Sequence, residues 1–172
     1  MPVYIALLRA VNLGPHGKVA MPKLKEAFEA EGFDNVRTLL NSGNVVFSAS
    51  KEPTEKQLED MAAKRLGLST DFFVRTPEEW EKLMAANPFS KEAADDPGHL
   101  VIMFLKNAAH SAEVPHPGRE VIKVHGRQLY ITYPDGIGTS KLTNAVIESK
   151  LKVRGTARNW NTVTKLAALA AG

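Results

Sequence analysis

The alternation of short apolar runs with amphipathic stretches over the first 75 residues constrains the fold of this chain more than any other feature. Residues 3–9 are short, apolar and rich in β formers, so they read as a buried strand. A helix is predicted over residues 22–31, with Pro22 in its first turn, Leu24, Ala27 and Phe28 at helical spacing, and Gly32 as the stop. Residues 36–40 and 44–47 are two strands around a tight Asn41-Ser42-Gly43 turn. Thr54 opens a second helix, which carries Leu58, Met61, Ala62, Arg65 and Leu66 on one face and ends at Gly67. Residues 72–74 make a fourth strand. The resulting β-α-β-β-α-β order is the split βαβ arrangement of ferredoxin-like folds.

The second half is also read as α+β. A helix starts at Pro77 with Trp80, Leu83 and Met84 facing inward, and the Asn87-Pro88-Phe89 and 94–98 segments mark a boundary. Residues 99–106 are a strongly apolar strand, followed by a loop with Pro115 and Pro117. Two more strands, 120–124 and 128–133, flank a His125-Gly126-Arg127 turn. Thr139 or Ser140 is expected to cap a helix carrying Leu142, Val146 and Ile147, and a last helix starts near Thr162. The expectation is an α+β chain with a ferredoxin-like unit over 1–76, a helix and linker over 77–98, and a smaller α+β unit over 99–172. The parts are expected to pack as one compact chain. No internal sequence repeat stands out.

Composition removes whole classes of function. The chain has no cysteine, which excludes disulfide frameworks, thiol catalysis and thiolate metal sites and fits a reducing cytosol. No apolar run reaches the roughly 18 residues of a membrane span, and Met1-Pro2 leads into Val3-Tyr4-Ile5 without a basic leader, so a cytoplasmic protein is expected. The formal charge of +3 is unevenly placed. Residues 99–172 carry ten Lys and Arg against four Asp and Glu, while residues 1–98 carry twelve against fifteen. An electropositive second half favours an anionic partner, and a solvated basic face is the plainer account of the same residues.

Three polar segments stand out. In a ferredoxin-like unit the loop after the first strand and the hairpin after the second emerge at one sheet edge. Arg9, Asn12, His16 and Lys18 are therefore expected near Asn41, Ser42 and Asn44. Cations and amides without a carboxylate suit an anion or a nucleobase edge, although these residue types also serve turns, and Arg9 also suits packing against an acidic helix end. The segment 133–141 is a strand, a glycine-containing loop and a helix start, where Gly138, Ser140 and Lys141 fit an anion. It matches neither the P-loop nor the G-x-G-x-x-G pattern, and turn and cap chemistry explains it equally. Residues 156–162 place Arg158, Asn159 and Trp160 together, a set that can clamp a planar or phosphorylated ligand. The structural alternative has Trp160 anchoring the last helix while Asn161 or Thr162 caps it. The five histidines match no metal-binding spacing, and His110 and His116 read as surface residues, so neither metal nor cofactor is expected.

Taken in order, 7–14 (Leu-Leu-Arg-Ala-Val-Asn-Leu-Gly), 32–38 (Gly-Phe-Asp-Asn-Val-Arg-Thr), 42–47 (Ser-Gly-Asn-Val-Val-Phe), 133–142 (Tyr-Pro-Asp-Gly-Ile-Gly-Thr-Ser-Lys-Leu) and 158–162 (Arg-Asn-Trp-Asn-Thr) resemble the bacterial domain-of-unknown-function family 1697. The resemblance spans nearly the whole chain and implies an α+β protein with ferredoxin-like parts. It brings no established activity, cofactor or catalytic residue. Ala10 and Pro15 stand where that family carries glycines, which weighs against close backbone approach of a ligand there. The leading functional expectation is a binding protein for a phosphate-bearing small molecule or nucleic acid, using Lys141 and Arg158 with the 136–140 helix start. Residues 45–47 lack the aromatic pattern of RNA-recognition sheets. Two other classes stay open. One is an enzyme acting on a small anionic substrate, with Lys18, Lys141 or a histidine carrying the proton and Arg158 as clamp. The other is a protein–protein or self-association module pairing through an edge strand.

Overall fold

Apolar residues at every position of two strands, rather than at alternate ones, decide the architecture. Such strands belong in the middle of a sheet covered on both faces. The computed structural model describes residues 1–9, 20–39, 43–109, 114, 116 and 118–172. It divides into one unit of Met1–Glu81 with Leu166–Gly172 and a second of Lys82–Lys165.

In the first unit β1 (Val3–Leu8), α1 (Met21–Ala30), β2 (Asp34–Leu39), β3 (Asn44–Ser48), α2 (Glu55–Leu66) and β4 (Phe72–Arg75) follow the predicted order. The sheet order is β2-β3-β1-β4, antiparallel throughout, as a ferredoxin-like unit requires. Tyr4, Ala6, Val45, Phe47 and Phe72 face Leu24 and Phe28 of α1 and Leu58 and Met61 of α2. The opposite row, Ile5, Leu7, Val46 and Phe73, is equally buried. Helix α2 starts in a capping box between Thr54 and Gln57 and stops at Gly67, whose φ of 61° is easiest for glycine. Arg65 leaves the apolar face on which its spacing placed it and pairs with Glu31 at 2.7 Å.

As an edge strand β4 has outward N–H groups to satisfy, and α2 supplies the acceptors. Val74 N donates to Glu55 Oε2 at 2.8 Å, and Phe72 N donates to Glu59 Oε2 at 2.9 Å. The spacings match: four helical residues rise about 6 Å and two strand residues about 6.6 Å.

The second unit contains β5 (Leu100–Leu105), β6 (Val121–His125), β7 (Gln128–Thr132), α5 (Asn144–Leu151) and β8 (Gly155–Asn159). Before β5 come α3 (Pro77–Ala85), α4 (Ser90–Asp95) and a 3-10 turn at Pro97–His99; the last two occupy the predicted boundary. Helix α6 (Trp160–Ala171) closes the chain. The sheet order is β6-β7-β5-β8, again antiparallel. With β5 to β8 standing for β1 to β4, this is the order of the first unit.

The repetition reaches individual residues. Ile5 pairs with Arg75 and Ile102 pairs with Arg158. Each buried arginine donates through Nη1 to the carbonyl before it, at 3.0 Å to Val74 and 2.9 Å to Ala157. Each is followed by a cap: Thr76 Oγ1 accepts from Glu79 N, and Asn159 Oδ1 accepts from Thr162 N. Residues 74–85 and 157–168 share Arg, Lys, Leu and Ala at equivalent places, too few to register as a sequence repeat.

Two expectations for this half are corrected. Residues 156–159, read as part of a polar segment, lie in strand β8, because apolar β5 offers them a ladder that a scan for apolar runs misses. The 139–142 segment is not the helix start: Thr143 caps α5, its hydroxyl accepting from Val146 N at 3.2 Å. Close approach makes Gly155 irreplaceable, since a Cβ there would lie 2.7 Å from the Phe104 carbonyl oxygen in the neighbouring strand. Gly155→Ala is expected to destabilise the protein by about 1–3 kcal/mol in denaturant titration, through backbone displacement within the sheet.

Candidate functional site

Of the first-unit residues expected to gather at one loop edge, Asn12, Lys18 and Ser42, with His16 and Asn41, lie outside the described residues. Arg9 is held locally. Its guanidinium stands 3.6 Å from Asp71, and its carbonyl accepts from the Thr70 hydroxyl. A carboxylate is therefore present where none was expected. Asn44 is fully buried and donates from Nδ2 to the Leu39 carbonyl at 2.8 Å, which closes the hairpin rather than offering an amide to a ligand.

In the second unit Lys141 and Arg158 do not converge. Arg158 pairs with Ile102, and its Nη1 donates to Thr156 Oγ1 at 2.7 Å, so its side chain stands on the sheet face of Ile102 and Thr156. Val101, Met103 and Ile131 form the other face, where Ile147 and Leu151 of α5 pack. Burial lowers the Arg158 pKa to about 10, which leaves it charged at neutral pH. Asn159 serves as the cap of α6, the task expected of Asn161 or Thr162. Gly138 has an ordinary backbone conformation and open space around it, so it relieves no strain.

Ser140 belongs to a different cluster. Its hydroxyl donates to Glu120 Oε1 and accepts from Leu142 N at 3.0 Å. The hydroxyl thus uses its one donor and one of its two acceptor positions within this cluster. Glu120 Oε2 is buried and accepts no hydrogen bond among the described residues; His116 Nε2 lies 4.0 Å away. Gly118 permits this packing, because a side chain there would collide with the Glu120 carboxylate. His116 is not a surface residue. Its Nδ1 lies 2.7 Å from the Val114 carbonyl and its Nε2 2.7 Å from that of Glu120. A neutral imidazole has one N–H and cannot donate to both, so the geometry calls for imidazolium. Together with Ser140 and Lys141 these groups line a pocket of about 260 Å³.

A larger cleft of about 490 Å³ opens where the first turn of α5 meets the outer edge of β8. Tyr133, Ile137 and Leu142 supply apolar wall, while Asn144, Ala145 and Ala157 bring backbone amides. No carboxylate lines it. The Tyr133 hydroxyl donates to the Leu142 carbonyl at 2.9 Å, and burial pushes its pKa up to about 12, so it stays neutral. At the helix start Thr143 accepts only from Val146, and the helix itself provides no acceptor for the amides of Asn144 and Ala145. The cleft is shaped for a neutral or anionic group.

A family model described as Protein of unknown function (DUF1697) matches residues 1–130, about three quarters of the chain. The chain belongs to this family. A solved structure, that of the conserved bacterial protein SP0830 from Streptococcus pneumoniae, is similar over 98% of both chains, with a TM-score of 0.71 at 18% identity. At that identity the likeness establishes the fold alone. No functionally curated protein matches. The family match ends within β7, so α5 and β8 of this DUF1697 protein lie beyond it, while Val101 of the cleft lining lies within it.

Neither Glu120 nor His116 was legible as a cluster, because Glu120 meets Ser140 across twenty residues of sequence. Ala157 carried no signal at all, since its contribution is a backbone amide. In this DUF1697 protein the hydrogen bonds to the Val114 and Glu120 carbonyls raise the pKa of His116 above the ordinary 6.5. The hydrogen bond from Ser140 lowers that of Glu120 below the ordinary 4.5. The histidine therefore stabilises the fold fully below about pH 6.5, and that share is lost as pH rises through its higher folded value. The carboxylate acts with opposite sign, stabilising above its ordinary value and losing that share on acidification through its lower folded value. Chemical denaturation across pH 5–9 is expected to show a loss of stability on the alkaline side that His116→Gln removes.

Proposed function

We propose that this protein binds a small phosphate-bearing ligand of the nucleotide class in the α5–β8 cleft. The observation that carries the reading is the pairing, in one cavity, of apolar wall from Tyr133, Ile137 and Leu142 with unpaired amides at a helix start, and no lining carboxylate. A planar ring suits the wall, and a phosphate suits the amides and the positive end of the helix. Electrostatics supports the same ligand. Asp135 is paired with Arg119, Glu120 with Ser140, and Glu148 with Gly155 N, whereas Lys123, Lys141, Lys150 and Lys152 make no ion pair among the described residues. The field left over is positive and draws anions toward this unit. Lys141, two residues before the α5 cap, acts by steering and not as the partner of Arg158. No helix among the described residues is long and apolar enough to cross a membrane. The reading places the activity in the reducing cytosol.

Thermal unfolding with AMP, adenosine, inorganic phosphate and a short oligonucleotide tests it. At a concentration of AMP about 100 times its Kd, stabilisation of about 2.7 kcal/mol and a rise of roughly 5–10 °C are expected. Adenosine should give much less. Ala145→Glu places a carboxylate at the second residue of α5, where it favours the helix but repels an anion, and is expected to keep or raise the melting temperature while removing the AMP shift. Absence of stabilisation by any phosphate-bearing compound, or equal shifts with AMP and adenosine, overturns the reading.

A further inference from the structure

The two units satisfy the outer edge of their last strand in the same way, with one omission. In the first unit Glu59 and Glu55, one turn apart on α2, accept from Phe72 N and Val74 N of β4. Strand pairing makes Gly155 the counterpart of Phe72, and Ala157 that of Val74. The first bond is kept: Gly155 N donates to Glu148 Oε2 at 2.8 Å. Glu148 stands four residues after Asn144, as Glu59 stands four after Glu55. The second bond is missing. Asn144 occupies the place of Glu55 as the first residue of its helix, and it makes no hydrogen bond to Ala157.

The Ala157 amide points away from β5. Outward and inward N–H groups alternate along an antiparallel edge, and that of Gly155, two residues earlier, is outward. It finds no acceptor among the described residues, and the 490 Å³ cleft lies there, with Asn144 and Ala157 both in its lining. An outward edge amide in a partly buried position calls for an acceptor. The first unit shows which kind the architecture accommodates, namely an oxyanion seated between the first turn of the helix and the edge of the last strand.

We propose that the space left by a glutamate at position 144 is an oxyanion subsite, in which a ligand's phosphate or carboxylate oxygen accepts from Ala157 N as Glu55 Oε2 accepts from Val74 N. This rests on the ligand-binding reading above and names its anchoring contact. Hydrogen bonds from backbone amides to an oxyanion are charge-assisted, and the positive end of α5 adds to them. The Asn159 side chain borders the same cleft with its amide nitrogen uncommitted, while its oxygen caps α6. In the first unit Arg75 Nη1 also lies 3.7 Å from Glu55 Oε2, and its counterpart Arg158 is in the lining of the cleft, so a cationic side chain borders the subsite besides Lys141 of the preceding segment.

Amide hydrogen exchange at Ala157 reads the subsite directly, in the full chain. Inorganic phosphate, AMP and acetate are added separately to the wild type and to Asn144→Glu. In the wild type, phosphate or AMP is expected to slow exchange at Ala157 about tenfold while leaving Val74 unchanged. Acetate alone slowing it makes the natural ligand a carboxylate, which keeps the subsite and overturns the phosphate reading. In Asn144→Glu the introduced carboxylate should slow Ala157 exchange without any ligand and abolish the AMP-induced melting shift. If AMP still stabilises that variant while its Ala157 amide is protected, AMP binds elsewhere; the subsite is overturned and the ligand-binding reading survives. If no oxyanion changes Ala157 exchange in the wild type, the proposal is wrong.

Discussion

Everything in this protein hangs on two strands that are apolar at nearly every position. β1 and β5 are each paired on both sides and covered on both faces, so each sheet is built outward from an interior strand. Burial of that kind leaves polar accounting to the sheet edges. β4 and β8 answer it with carboxylates reaching down from the helix before them, made possible because one helical turn and two strand residues span nearly equal lengths. The unfilled place in that scheme, beside Ala157, is the most informative point in the molecule.

The same commitment explains the charge asymmetry. Each described carboxylate of the second half is engaged: Asp135 with Arg119, Glu120 with Ser140 and His116, Glu148 with the β8 edge. Lysines on the same unit stay at the surface, and the net field follows from which sign is consumed by architecture. A basic half is thus in part a consequence of acids being used structurally.

Much of the element order was legible because punctuation and periodicity agree in the first half. Thr54 and Gly67 bracket α2, and the hairpin and helix faces fall where their apolar spacing puts them. In the second half the local signals compete. Thr139, Ser140 and Thr143 are all plausible caps, and only the last one caps; Ser140 is taken by Glu120 twenty residues away. β8 carries Thr, Ala, Arg and Asn, which together do not look like a strand until β5 pairs with them. The grouping of Lys141 with Arg158 failed for a related reason: adjacency in a loop-like segment says nothing about which face of a sheet a side chain occupies.

Sequence alone determined the α+β class, the split βαβ order of the first unit, the electropositive second half and the family. Those properties follow from local periodicity, turn chemistry and counts, which need no knowledge of partners. Tertiary structure alone decided that the second unit repeats the first, that the half-buried His116 sits between two carbonyls, and that a helix start and an edge amide meet in one cleft. Strand order, hydrogen-bond parity and side-chain face depend on pairing between residues 24 to 58 positions apart, and a backbone N–H looks the same in every residue of the sequence except proline.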